Sequence, residues 1–260
     1  MKILNFGSLN IDHVYQVAHF VRPGETLASH AYAKHVGGKG LNQSLALARA
    51  GAQVYHAGCI GEDGLFLKQL LDQDGADTRY VRTVKGASGH AMIQVNEQGE
   101  NCIILHGGAN QRVTTHMMYD VLESFGTADL LLLQNEVNDI AQIMNLAKQR
   151  GMHIVFNPAP MNAAVKEYPL ELVDYFILNE IEAAELAGLS VQEAGELGAE
   201  QTIGKLTALF PRAKIVMTLG KQGVCFACGD EVFLKVEAKK VSAVDTTAAG
   251  DTFTGYFMAG

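Results

Sequence analysis

The chain has 260 residues, 48% of them apolar and 18% charged, which is enough for one globular domain with a sizeable core. A formal net charge of −8 excludes a nucleic-acid backbone as the main partner, because phosphates demand a basic surface. No stretch approaches the ~20 apolar residues of a membrane helix, and the N-terminus opens as a strand with no signal-peptide pattern, so a cytoplasmic protein without membrane contact is expected.

In chain order, apolar runs predict strands at Ile3–Phe6, Val54–Cys59, Leu130–Leu133, Ile154–Phe156, Tyr175–Leu178 and Ile215–Thr218. Between them, helical patterns cover Asn42–Ala50, Phe66–Leu71, Ile140–Gln149, Glu180–Ala187 and a stretch ending near Phe210. Gly51, Gly75, Gly151 and Gly188 stand at helix ends. This alternation predicts an α/β fold with a mostly parallel central sheet. Two segments lack crossover helices. Asp12–Val36 alternates and turns through Arg22-Pro23-Gly24-Glu25. His90–Val95 and Asn101–Leu105 flank Asn96-Glu97-Gln98-Gly99-Glu100 as a β-hairpin. Together they are expected to form a small antiparallel lid, about residues 12–36 and 88–106, on a single domain spanning 1–260. Two unconnected surface excursions are the alternative. Cys225 and Cys228 form a lone CxxC without a second pair, and are expected to be ordinary residues of a strand entering a hairpin.

Two common nucleotide motifs, GxxxxGK[ST] and GxGxxG, are absent. Three other segments carry chemistry. Gly37-Gly38-Lys39-Gly40-Leu41-Asn42-Gln43 surrounds a Lys with Gly just before an Ala-rich helix. It suits close backbone approach and free N–H donors, with Lys39 and Asn42 for hydroxyls, or it is a plain loop and cap. Gly7-Ser8-Leu9-Asn10-Ile11-Asp12 follows the first strand, where α/β sheets bind ligands. There Asp12 either accepts from vicinal hydroxyls or caps a turn. In Asp245-Thr246-Thr247-Ala248-Ala249-Gly250-Asp251, small residues open a helix whose stripe continues through Phe253 and Phe257. Free N–H groups of Ala248–Asp251 there form an expected anion hole, with Asp251 as proton acceptor or as an ordinary first-turn Asp.

Taken with Pro23-Gly24-Glu25-Thr26, Asn157-Pro158-Ala159-Pro160, Asn179-Glu180-Ile181-Glu182-Ala183 and Thr218-Leu219-Gly220-Lys221-Gln222-Gly223, these segments resemble the ribokinase family of PfkB-type carbohydrate kinases over nearly the whole chain. The resemblance implies a ribokinase-like α/β three-layer sandwich with a small β lid. It implies ATP-dependent phosphorylation of a primary hydroxyl, most simply ribose to ribose 5-phosphate. Family kinases of nucleosides, fructose or ketodeoxygluconate are the alternatives, as is a sugar-binding remnant without turnover. By resemblance, Asn10, Asp12, Gly38, Lys39, Gly40, Asn42 and Glu136 bind sugar, and Asp251 is the base over an anion hole of Ala248, Ala249 and Gly250. Asn179 and Glu182 help place Mg2+ and phosphate. Thr218, Gly220, Lys221, Gly223 and Gly250 bind ATP, and Asp245 and Thr247 form part of a K+ site. A homodimer through the lid is implied. Relatives continue past the helix that contains Gly260, so the resemblance implies missing adenine-pocket and K+-site residues, uncovered apolar surface and impaired nucleotide binding.

Overall fold

A computed structural model describes residues 1–229, 232–242 and 246–260. Along the chain run β1 (Ile3–Phe6), β2 (Asn10–Gln16), β3 (Ala31–Gly37), α1 (Lys39–Arg49), β4 (Val54–Ile60), α2 (Leu65–Gln73), β5 (Asp77–Thr83), β6 (Gly89–Val95) and β7 (Asn101–His106). Next come α3 (Thr115–Leu122), β8 (Leu130–Gln134), α4 (Ile140–Gln149), β9 (His153–Asn157), β10 (Tyr175–Asn179), α5 (Glu180–Leu186), α6 (Val191–Leu209), β11 (Lys214–Thr218), β12 (Val224–Cys228), β13 (Val232–Val236) and α7 (Ala249–Ala259).

Among the described residues the large sheet has the order β13-β12-β11-β10-β9-β8-β1-β4-β5. Its strands are parallel except β12 and β13, which form an antiparallel edge hairpin. Each central strand is apolar on both faces, and the side-chain period of two sorts those residues into two layers. Ile3, Leu132, Val155, Ile177 and Val216 pack with Leu41 and Leu47 of α1, Leu67 and Leu71 of α2, and Met258 of α7. Leu4, Leu131, Ile154, Phe176 and Ile215 pack instead with Met117 of α3, Ile143 of α4, Ala183 of α5 and Ile203 of α6. A one-residue register slip would exchange these layers, so the pairing is specified by the pattern.

The second sheet has the order β3-β2-β6-β7. It comprises two antiparallel pairs, β2 with β3 and β6 with β7, joined through parallel β2 and β6. It unites the two segments without crossover helices. Cys225 and Cys228 are free thiols within β12, as expected of ordinary strand residues. No helix among the described residues is long and apolar enough to cross a membrane.

Two close backbone approaches bring α1 and α7 to the end of the sheet. A Cβ at Gly40 would lie 2.3 Å from the Ser8 amide nitrogen, so α1 begins against the loop after β1. The sequence pattern starts that helix at Asn42, but it starts at Lys39. The Leu41 N–H donates to Ser8 O at 2.8 Å and Asn5 Nδ2 to Gly40 O at 2.7 Å, so tertiary bonds override the low helix propensity of Gly. A Cβ at Gly255 would lie 2.3 Å from Ala46 Cβ. Helices α1 and α7 therefore meet almost backbone to backbone, which brings Asp251 over Gln43.

Candidate active site

The C-terminal ends of β1, β8, β9, β10 and β11 share one sheet edge, where open α/β sheets bind ligands. On one side of this edge the polar groups are bonded to one another. Asn10 is only 4% exposed. Its Oδ1 accepts from Asn110 Nδ2 at 2.6 Å, while Asn110 Oδ1 accepts from the Leu9 N–H at 3.0 Å. Asp12 lies on the same face of β2 as Asn10, and a Cβ at Gly37 would sit 2.2 Å from its Oδ2. Glu136, in the turn after β8, accepts from the Lys39 N–H at 2.8 Å and from the Ser8 hydroxyl. Gly38 caps α1 beside them. Burial raises the pKa of Asp12, and the nearby Glu136 carboxylate raises it further against the lowering pull of His35. Burial also raises Glu136, opposed by its bonds from Ser8 and Lys39 and by the Lys39 charge.

On the other side an open cleft of about 230 Å³ is lined by Lys39, Asn157, Asn179, Glu182, Thr218 and the start of α7 from Ala248 to Asp251. Asn179 and Glu182 form a capping box. The Asn179 Oδ1 accepts from the Glu182 N–H and Glu182 Oε2 from the Asn179 N–H, each at 2.9 Å. They cap α5 and face the cleft at once. Burial raises Glu182, with the Asn179 bond and the Lys39 charge pulling it down. Thr218 ends β11 and donates to Leu178 O at 3.4 Å. The turn Gly220–Gln222 comes next, and Gly223 passes under β13, where a Cβ would lie 2.0 Å from Val236 O. Lys221 is exposed and does not line the cleft.

Between the two sides stands Asp251, 7% exposed. Its Oδ1 accepts from Gln43 Nε2 at 2.8 Å and its Oδ2 from Asn42 Nδ2 at 3.2 Å. Burial raises its pKa, and Lys39, Gln43 and Asn42 pull it back. The N-cap of α7 is Ala248 at φ 56°, a left-handed conformation that L residues with a side chain seldom adopt. One correction applies to the expected anion hole. The Ala249 N–H is not free but donates to Thr246 O at 3.2 Å, closing the turn into the helix. The first-turn N–H groups of Gly250 and Asp251 remain, which helix geometry leaves without an intrahelical acceptor. Asp245 lies outside the described residues, and Thr247 is in the turn before α7. Among the described residues no cluster of three His, Cys, Asp or Glu is arranged to hold a metal.

A buried carboxylate at a helix N-terminus thus stands between a cluster of bonded polar groups and an open cleft. The whole chain, residues 1–260, matches the pfkB family of carbohydrate kinases. The chain belongs to that family. It is 38% identical to the ribokinase of Haemophilus influenzae, covering 97% of this chain and 82% of that protein. It is 36% identical to the ribokinase of Staphylococcus aureus, covering 99% and 85%. The structure of Cryptococcus neoformans ribokinase in complex with ADP superposes with a TM-score of 0.85 at 35% identity, covering 99% of this chain and 86% of that one. The structure of Arabidopsis thaliana ribokinase complexed with ribose and ATP superposes with a TM-score of 0.86 at 26% identity, covering 99% and 84%.

The sequence motifs of this PfkB-family chain give no role to some of its polar residues. Asn110 holds Asn10 from a short 3-10 turn, and the only hint in the sequence is Gly107-Gly108 ahead of it at the exit of the hairpin. Gln43, Gln134 and Asn157 are buried polar side chains beneath Asp251. Gln134 and Asn157 each end an apolar strand, a place where a polar residue must find a partner.

Proposed function

We propose that this chain transfers the γ-phosphoryl group of ATP to the primary hydroxyl of ribose, giving ribose 5-phosphate. The observation that carries the reading is the placement of Asp251. Its carboxylate stands at the first turn of α7, bonded to Asn42 and Gln43 and lining the open cleft. Asn10, Asp12, Asn42 and Glu136 supply acceptors and donors for the sugar hydroxyls, with Gly38 and Gly40 letting the backbone close in. Asp251 takes the proton of the attacking hydroxyl, and the N–H groups of Gly250 and Asp251 face the charge that develops on the transferring phosphoryl group. Lys39 offsets the excess of carboxylates there. Thr218 borders the nucleotide side, and a nucleotide contact by the Gly220–Gly223 turn that follows it belongs to the same proposal.

The donor set fits a Mg2+ ion carried by the nucleotide, which needs only one or two carboxylates plus phosphate oxygens. Glu182, held by Asn179 and buried enough to disfavour its charge, is the carboxylate available to it. The ion would supply neutralisation of phosphate charge. A K+ site at Asp245 and Thr247 belongs to the same proposal. The small sheet closes over the sugar and excludes water. Its edge strands expose Tyr32, Ile103, Ile104 and Leu105, a surface suited to pairing with a second copy of the chain. The reaction belongs in the cytoplasm, where ATP is.

A coupled assay with ATP and ribose, adenosine, fructose or ketodeoxygluconate tests the reading. Ribose is expected to be turned over best. Turnover of another acceptor without ribose would overturn the substrate, and sugar binding in calorimetry without any turnover would overturn the activity. Light scattering is expected to give a dimer, and a monomer that retains full activity would remove the lid pairing.

A further inference from the structure

The base does not rest on α1 alone. Behind it runs an unbroken chain of buried side-chain amides. Asn5 Nδ2 donates to Gly40 O at 2.7 Å and to Ser44 Oγ at 2.8 Å. Gln134 Nε2 donates to Asn5 Oδ1 at 3.0 Å and to Gln43 Oε1 at 2.6 Å. Gln43 Nε2 donates to Asn157 Oδ1 at 3.0 Å and to Asp251 Oδ1 at 2.8 Å. Asn157 Nδ2 donates to Ile177 O at 2.9 Å. Asn5, Gln43 and Gln134 are each at most 1% exposed. In each of these three, both amide hydrogens are used, and every carbonyl that joins two links accepts from the amide before it.

This arrangement has only one polarity. A reversed Gln43 would aim its carbonyl at the Asp251 carboxylate and at Asn157 Oδ1, and its NH2 at the NH2 of Gln134. Three repulsions in a medium without water would replace three bonds. Asn5 comes from β1, Gln134 from β8 and Asn157 from β9, so neighbouring strands of the sheet, not the helix that carries the base, hold the donor that faces it.

We infer that Gln43 is a positioning residue for the phosphoryl-transfer base, and that Gln134, through Asn5 and the sheet, sets the direction in which Gln43 donates. The inference rests on the kinase reading above. Gln43 keeps one lone pair of Asp251 occupied and fixes the carboxylate plane, leaving Oδ2 to the sugar side with Asn42. The charged and titratable groups that also face Asp251 are Lys39 on α1, Glu136 after β8 and Glu182 on α5. None of them touches the amide chain except through the base or the start of α1.

The test compares Gln43→Met and Gln134→Met with the wild type in steady-state assays with ribose and ATP across pH, with ribose binding measured by calorimetry as a check on folding. Gln43→Met is expected to lower kcat by about 10- to 100-fold, the worth of one hydrogen bond to a charged group, with KM for ribose changed less than about threefold. Because Gln43 favours the ionised base, its loss moves the acidic limb of the kcat profile to higher pH, and part of the activity returns as pH rises. Gln134→Met, which touches neither substrate nor base, is expected to give a smaller change in the same direction, about 3- to 10-fold. An unchanged kcat, a loss confined to KM, or an unmoved acidic limb in either variant that still binds ribose would overturn the inference. Should Gln43→Met not fold, the Gln134→Met profile decides. Failure of the wild type itself to phosphorylate ribose would strike the kinase reading instead.

Discussion

The two sides of the sheet edge solve opposite problems. In the proposed reading the sugar side is built from side chains that are already bonded: Asn10 by Asn110, Glu136 by Ser8 and Lys39, Asp251 by Asn42 and Gln43. In that reading the nucleotide side is built from strand ends and a helix start, with Asn179, Thr218 and the first residues of α7 bordering an open cleft. Sugars differ in where their hydroxyls are placed, so selecting one needs hydrogen-bonding groups fixed before it arrives. Fixing carboxylates in a buried pocket costs solvation, and burial raises Asp12, Glu136 and Asp251 together. A phosphate carries its own charge and meets backbone N–H groups, which need no such arrangement.

The sharpest way to break this contrast is Asp251→Asn, expected to lower kcat by about 10²- to 10⁴-fold. The same variant should be more heat-stable. A carboxylate whose folded pKa is raised stabilises the fold below its unfolded pKa and loses that contribution as pH rises through the folded value, so at neutral pH the charge is a burden. The melting midpoint in calorimetry should therefore rise, and a fall would count against the burial cost of this charge. In the wild type, the activity that needs the ionised base should fall away at a pH above the ordinary carboxylate range. Next, Asp12→Asn should raise KM for ribose by about 10- to 100-fold and leave KM for ATP within about twofold, separating the two sides kinetically.

Beneath the sugar side, His56 is fully buried, shares its Nδ1 with the Ser44 hydroxyl at 2.8 Å, and has its pKa pushed down to about 4 by burial. Its lowered folded value means that its stabilising share is complete above the ordinary 6.5 and is lost as pH falls to about 4. Denaturant unfolding between those limits should show an acid loss of about 3 kcal/mol that His56→Asn removes. The smallest effect belongs to the nucleotide side. Asn179→Ala deletes the cap of α5 and should cost about 1 kcal/mol, or about 2–4 °C of melting midpoint.

The legibility of these parts in the sequence differs for physical reasons. The buried strands announce themselves because a parallel strand covered on both faces is an uninterrupted apolar run, as in Leu130–Leu133. Helix α4 is legible to the residue, with its stripe of Ile140, Ile143, Met144 and Ala147 facing the core. Strand β5 is not, because Asp77–Thr83 lies at the sheet edge and buries little besides Thr78 and Val81. Helix α3, with its stripe of Met117, Met118, Val121 and Leu122, escapes the sequence reading although Thr114 caps it. The start of α1 reads three residues late because Gly40 argues against a helix until its contact with Ser8 is known.

By itself, the sequence determined the α/β alternation, the two-segment small sheet and the ordered set of motifs that mark a PfkB-family kinase, since each rests on local periodicity or on residues a few positions apart. Only the tertiary structure decided what those motifs do to one another. Gln43 lies 208 positions before Asp251, and Gln134 another 91 after Gln43. Nothing local distinguishes a buried amide that aims a base from one that merely fills a core. The distinction arises because Gly255 lets α7 settle on α1, and because a hydrogen bond has a direction that is set only when both ends are in place.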